Sequence, residues 1–168
     1  MRHFIGLALA LVLLGCGYHF PGQGGTLPAG VEKLYIPLFV NKTAEPQLEN
    51  RLTASVSEVL SRNKSLVQVG RPDQADALLL GTLDRYQRRA LSFDKNDDIT
   101  EYRATLVASL QLKKARTEDL LWQKTLSWSA DYRAAADRTA QRDLENQAID
   151  EISLRLAEEL LNALLDDF

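Results

Sequence analysis

Three groups of residues in this chain have types and spacings that could do chemistry. The first is Cys16, the only cysteine among 168 residues, in the run Leu13-Leu14-Gly15-Cys16. Arg2 and the apolar stretch Phe4 to Leu14 precede it. That stretch has the length of a signal-peptide core and is too short to span a bilayer. The second group is two basic clusters: Arg85, Arg88 and Arg89 interleaved with Tyr86, and Lys113, Lys114 and Arg116. Guanidinium grips phosphate bidentately and ammonium meets it as a point charge, so either cluster suits an anionic ligand. Charge that blocks edge pairing is the plainer reading. The third group is Asp94, Asn96 and Asp98, spaced like the first ligands of a calcium loop. Ile99 stands where that loop needs glycine and Thr105 where it needs a bidentate glutamate, so the segment reads as an exposed hairpin loop.

A small residue before the cut is usual in secretory leaders; a cysteine just after it is not. Leu13 to Cys16 resembles the bacterial lipobox. The resemblance implies cleavage before Cys16, an S-diacylglycerol on its sulfur and an N-acyl chain on the new amine. Two or three chains anchor stably where one does not, because each buried methylene contributes roughly 0.8 kcal/mol. The alternative is a plain secretory leader with a chance cysteine. Residues 1–15 are therefore expected to be a leader, 16–30 a lipidated N-terminus and linker, and 31–168 a single domain.

Composition narrows the function classes. The net charge is −3 for the whole chain, and it becomes more negative once Arg2 leaves, which argues against a general nucleic-acid binder. With Cys16 lipidated, no thiol remains for redox chemistry or metal ligation. His19 is then the only histidine, which leaves little for a zinc hydrolase or a histidine triad. Nucleophile-elbow, phosphate-loop and dinucleotide glycine patterns are absent. No metal and no cofactor beyond the covalent lipid are expected, and no enzymatic activity.

The elements that must position these residues follow from periodicity. Residues 17–30 are rich in Gly and Pro and read as a linker. Val31 to Val40 reads as a strand with Leu34, Ile36, Leu38 and Val40 on one face, and Pro37 marks an edge or irregularity. Pro46 suits the first turn of a helix reaching Asn63, with Leu48, Leu52, Val56, Val59 and Leu60 at helical spacing. Leu66 to Val69 suggests a short strand. Longer strands are expected at Ala77–Gln87, Tyr102–Leu112 and Trp122–Tyr132, joined by the loop Ser92–Thr100 and the turn Lys114–Asp119. Trp122, Trp128 and Tyr132 share one face of the last strand; core packing is the favoured role and a belt against a partner wall the alternative. A long helix is expected over Ala140–Leu165, with Leu144, Ala148, Ile152, Leu156, Leu160 and Leu164 inside and Glu145 among the residues on the other faces. The order β-α-β-β-β-α implies an α+β fold: two helices packed on one face of a mostly antiparallel, roughly four-stranded sheet.

The residues also carry a family resemblance. Cys16-Gly17-Tyr18-His19-Phe20 is followed by Leu27-Pro28, then by the run Val31 to Thr43 (VEKLYIPLFVNKT), a helix opening at Pro46, Leu48 and Glu49, and Ala75 to Gly81. This resembles the LptE family of lipopolysaccharide-assembly lipoproteins of the Gram-negative outer membrane. The resemblance implies an α/β domain seated inside the barrel of the translocon LptD, acting as plug, assembly factor and lipopolysaccharide-binding element. Gly17 is not the aspartate that retains lipoproteins in the inner membrane, which agrees with outer-membrane placement.

Arg85, Arg88, Arg89, Lys113 and Lys114 are the candidate lipopolysaccharide contacts, the arginines being favoured. The two clusters are expected at opposite ends of the sheet and so not in one site. Asn41, Lys42 and Thr43 are candidate partner contacts, with capping of the following helix an equal reading. A rival function is a lipoprotein regulator of a periplasmic partner such as a cell-wall synthase. Only about 15 residues separate Cys16 from the first strand, a reach of at most roughly 50 Å, and this favours a partner in the same membrane. A periplasmic enzyme is the third reading.

Overall fold

The computed structural model describes Leu27 and residues 30–166. Cys16, the leader and nearly all of the linker lie outside the described residues. Six strands and two helices follow: β1 (Lys33–Tyr35), β2 (Val40–Asn41), α1 (Leu48–Ser61), β3 (Val67–Gln68), β4 (Ala77–Phe93), β5 (Ile99–Lys114), β6 (Leu120–Arg133) and α2 (Arg138–Asp166). They form one sheet in the order β3-β1-β4-β5-β6, with β2 also on β4. The α+β class holds, but the sheet is mixed and has more strands than expected. β4, β5 and β6 run antiparallel, while β1 pairs parallel with both β3 and β4, and β2 parallel with β4.

The expected strand Val31–Val40 divides around Pro37, which cannot donate to a ladder. The division shifts the alternation by one residue. Leu34 stays buried, but Leu38 and Val40 are each 57% exposed and Phe39 is the residue that turns in, at 3%. Gly81 makes room for it: a Cβ there would stand 2.5 Å from two carbons of the Phe39 ring. The short strand after α1 is present, at Val67–Gln68.

The helices share one face of the sheet. Ala77, Leu79 and Leu83 of β4 turn toward them, beside Ala104, Leu106, Ala108, Leu110 and Leu112 of β5 and Trp122, Leu126, Ala130 and Tyr132 of β6. From above come Leu48, Leu52, Val56 and Leu60 of α1 and Ala148, Ile152, Leu156, Leu160 and Leu164 of α2. The stripe every four residues in α2 is as expected, with Leu144 half-buried at its start. Arg51 ties the helices together, donating to the Asn146 side chain at 3.1 Å and to Asp150 at 2.6 Å.

β4 carries the feature that decides the site. Leu83 pairs with Ala108 but Arg85 pairs with Val107, so Asp84 is an extra residue in the strand, a β-bulge. Alternation restarts one residue late. Beyond the bulge, Tyr86 and Arg88 lie on the helix-bearing face and Arg85, Gln87 and Arg89 on the open face. β4 and β5 run past the expected ends, and their pairing continues to Phe93 and Ile99, beyond the last β5–β6 pair, Glu101 with Arg133.

Candidate binding surfaces

Strand alternation separates Arg88 from Arg85 and Arg89, and the bulge sets which of them faces α2. Arg88 lies against α2, where its NH1 donates to Glu145 Oε2 at 2.8 Å. The Tyr86 hydroxyl donates to the other oxygen of the same carboxylate at 2.9 Å. Glu145 is 9% exposed, not on an outer face of the helix as its polarity suggests. Position 145 lies one helical turn before Ile149 on the buried stripe, and that spacing was the available signal. The Arg88 guanidinium also stands 5.4 Å from the centroid of the Tyr102 ring, which stacks on Tyr132 at 5.6 Å. Burial, with Glu145 alongside, pushes the Tyr86 phenol far above its ordinary value. The same causes push Tyr132 up to about 12. The Tyr132 hydroxyl feels Arg88 but closes no well-formed hydrogen bond. This cluster is a structural clasp with one open side, since the Arg88 side chain keeps 47% of its exposure.

Arg85 and Arg89 stand on the open face in a different setting. Arg89 lies directly opposite Arg103, whose Nε and NH2 donate to the two Asp131 oxygens at 2.7 and 2.8 Å. Hydrogen bonding from Arg103 holds the Asp131 carboxyl below its ordinary value. Hydroxyls fill the rows beyond: Thr105 with Ser129 at 2.7 Å, and Ser109 with Thr125 at 3.2 Å and donating to Asp84 at 2.5 Å. The surface is therefore hydroxyl-rich and studded with guanidinium, and no described residue covers it. Arg103 and Asp131 went unsingled in the sequence because only the β5–β6 register, Arg103 with Asp131, brings them together.

Lys113, Lys114 and Arg116 gather at the opposite end of the sheet, as the topology demanded. Lys114 and Arg116 line a hollow of about 410 Å³ with Gly30, Val31, Ala75, Asp76 and Thr117. Asp76 is the structural post of this end. Its carboxylate accepts the Lys33 N–H at 2.8 Å and the Glu32 N–H at 3.2 Å. Those bonds, the Lys33 one foremost, hold it below its ordinary value.

Asn41 and Thr43 are engaged within the chain. Asn41 Nδ2 donates to the Glu45 carbonyl and to Glu49, both at 2.8 Å, and its Oδ1 accepts the Thr43 N–H at 2.9 Å. Neither caps α1 directly, since Gln47 stands at the N-cap without a side-chain bond. They instead hold the loop and brace the first helical turn through Glu49, while Lys42 between them is exposed.

At the hairpin tip, Asp94 Oδ1 accepts the N–H groups of Asn96 and Asp98, at 2.8 and 3.0 Å. No group of three metal-ligating side chains occurs among the described residues. Trp122 and Tyr132 are core residues, whereas Trp128 on the same face remains 38% exposed. Among the described residues no helix is long and apolar enough to cross a membrane.

Solved structures share this arrangement, and several of them are lipoproteins. Lipoprotein B of Nitrosomonas europaea aligns with a TM-score of 0.61 at 14% identity, over 89% of this chain and 90% of that one. The rare lipoprotein B of Shewanella oneidensis aligns with 0.59 at 16% identity, over 81% and 96%. The PelC dodecamer of Paraburkholderia phytofirmans aligns with 0.58 at 12% identity, over 84% and 93%. At these identities the likeness is one of fold. No curated protein matches the sequence. A family model described as LptE, lipopolysaccharide-assembly, matches residues 31–164.

Proposed function

Because this chain belongs to the LptE, lipopolysaccharide-assembly family, we propose that it is a non-enzymatic lipoprotein of the outer membrane, anchored through lipid on Cys16. In this reading it forms a plug and assembly complex with the LptD β-barrel and contacts lipopolysaccharide as that glycolipid passes. The carrying observation is the extent of the family match, which takes in every strand and nearly all of both helices.

The geometry supports this reading in two ways. The open sheet face presents Arg85, Arg89 and hydroxyl rows, a chemistry suited to the phosphates and sugars of a glycolipid. The tether is also short. Leu27 is buried in the core, and Gly30 and Val31 lie beside the β5–β6 turn. The 11 residues from Cys16 to Leu27 reach at most about 40 Å. That reach supports a partner in the membrane that holds the lipid. The 17 residues of β4 carry the hairpin tip about 55 Å from the end with Lys114 and Arg116.

The test is a mild-detergent pull-down of the tagged full-length protein. Recovery of one large outer-membrane barrel in roughly equal amount supports the proposal. Recovery of a cell-wall synthase, or of no partner, defeats it.

A further inference from the structure

The hollow beside the β5–β6 turn presents charges of both signs on a fixed frame. Main-chain bonds close the turn: the Lys114 N–H donates to the Asp119 carbonyl at 2.9 Å, and the Glu118 N–H to the Lys114 carbonyl at 3.0 Å. The Thr117 hydroxyl donates to the Asp119 carboxylate at 2.6 Å. The Ala115 N–H donates to the Asp76 carbonyl at 2.9 Å, which moors the turn to the residue before β4. Ordered backbone thus carries Lys114, Arg116 and Asp76 into one hollow of about 410 Å³, a volume usual for a small-molecule site.

The charges in it are unspent. Among the described residues neither Lys114 nor Arg116 closes an ion pair, and both side chains are exposed. Asp76 feels the Arg116 charge without touching it. Its bonds from the Lys33 and Glu32 N–H groups both end on Oδ2, so Oδ1 has no described donor. A simple anion would gain from the two cations and lose to Asp76, and a simple cation would fare the other way. A ligand that satisfies all three carries both signs a short link apart. Guanidinium and ammonium suit a phosphate, and a free carboxylate oxygen suits an ammonium.

We propose that this hollow binds the phosphoethanolamine headgroup of a membrane phospholipid, its phosphate on Lys114 and Arg116 and its ammonium on Asp76 Oδ1. The source rests on the lipid anchor proposed above. Gly30 and Val31 line the hollow, and the 14 residues from Cys16 to Gly30 reach at most about 50 Å, so the bilayer that holds the anchor lies within range. A headgroup contact adds a second hold to that of the acyl chains.

The experiment is an amide NMR titration of the full-length protein, in a maltoside detergent that carries no phosphate, with glycerophosphoethanolamine. Saturable shifts are expected at Val31, Asp76, Ala115 and Thr117. Lys114→Ala combined with Arg116→Ala should weaken binding by about tenfold at an unchanged melting temperature. Glycerophosphoglycerol, which has the phosphate but no ammonium, should bind the parent several-fold more weakly. Asp76→Asn should level the two ligands, because the amide oxygen still accepts the Lys33 and Glu32 N–H groups while the charge is gone. Absence of saturable shifts at these residues, equal binding of the two ligands by the parent, or binding undiminished in the double variant would each overturn the proposal. The intact mass of the same sample reports the acyl chains on Cys16, so a missing anchor and a missing headgroup site are told apart.

Discussion

Arg88 of β4 and Glu145 of α2 meet at 2.8 Å, joining the hairpin to the helix that lies across the sheet. The carboxylate is nearly buried and also accepts the Tyr86 hydroxyl, so its removal leaves two donors unsatisfied. Glu145→Ala should lower stability by about 1–3 kcal/mol in urea unfolding. The half-exposed Arg88 can turn to water, which holds the loss below that of a fully buried pair. Glu145→Gln, which keeps an acceptor for Tyr86, should lose less. Equal losses for the two variants would mean that the Tyr86 bond contributes nothing.

Arg85, Arg88 and Arg89 should separate by assay. Arg85→Ala and Arg89→Ala lie on the open face and should change stability by no more than about 0.5 kcal/mol. They should weaken binding of purified lipopolysaccharide, measured by calorimetry. Arg88→Ala should lower stability, because it strips the partner from Glu145. A stable Arg88→Ala protein would contradict the clasp, and undiminished binding by the Arg85→Ala, Arg89→Ala double variant would contradict the open-face assignment.

Gly81 and Phe39 form a fitted pair. Gly81→Ala drives a methyl group into a buried ring and should cost about 1–3 kcal/mol. Phe39→Leu should recover part of that loss when combined with it, although alone it destabilises. Strict additivity in this double-mutant cycle would show that the ring and the glycine are not coupled.

Asp76 should give the domain a measurable acid dependence. Its carboxyl is held below the ordinary value in the folded chain, so its contribution is complete above the unfolded carboxylate range, near pH 4. It is lost as pH falls through the lower folded value. Asp76→Ala should therefore be less stable than the parent by about 1 kcal/mol at pH 7, after discounting for solvent exposure. The difference should shrink as pH falls below that range. A difference that persisted there would mean that the side chain acts through packing.

The sequence made the α+β class, both helices and the three long strands readable because each has a clean period. The buried stripe of α2 and the alternation of β5 needed no tertiary information. Legibility failed where the period breaks. Pro37 exchanges Phe39 for Leu38 and Val40, and the Asp84 bulge reverses which of the arginines at 85, 88 and 89 faces the helices. Both are changes of phase, which residue types alone do not reveal. Glu145 was misplaced by its polarity, although its spacing put it on the buried stripe. The Arg103–Asp131 pair spans 28 residues and exists only through strand register.

The extra residue at position 84 is a spacer that resets which side chains the distal half of β4 displays. Deletion of Asp84 would close the bulge and leave Arg85 opposite Val107 and Tyr86 opposite Leu106, so every other side chain would keep its face. Were Asp84 instead to take a regular place in the ladder, inside and outside would exchange: Tyr86 and Arg88 would turn to the open surface, and Arg85, Gln87 and Arg89 would press against the helix. A relative one residue shorter at this point would thus display the same faces, and an alignment that opened no gap there would compare residues on opposite faces.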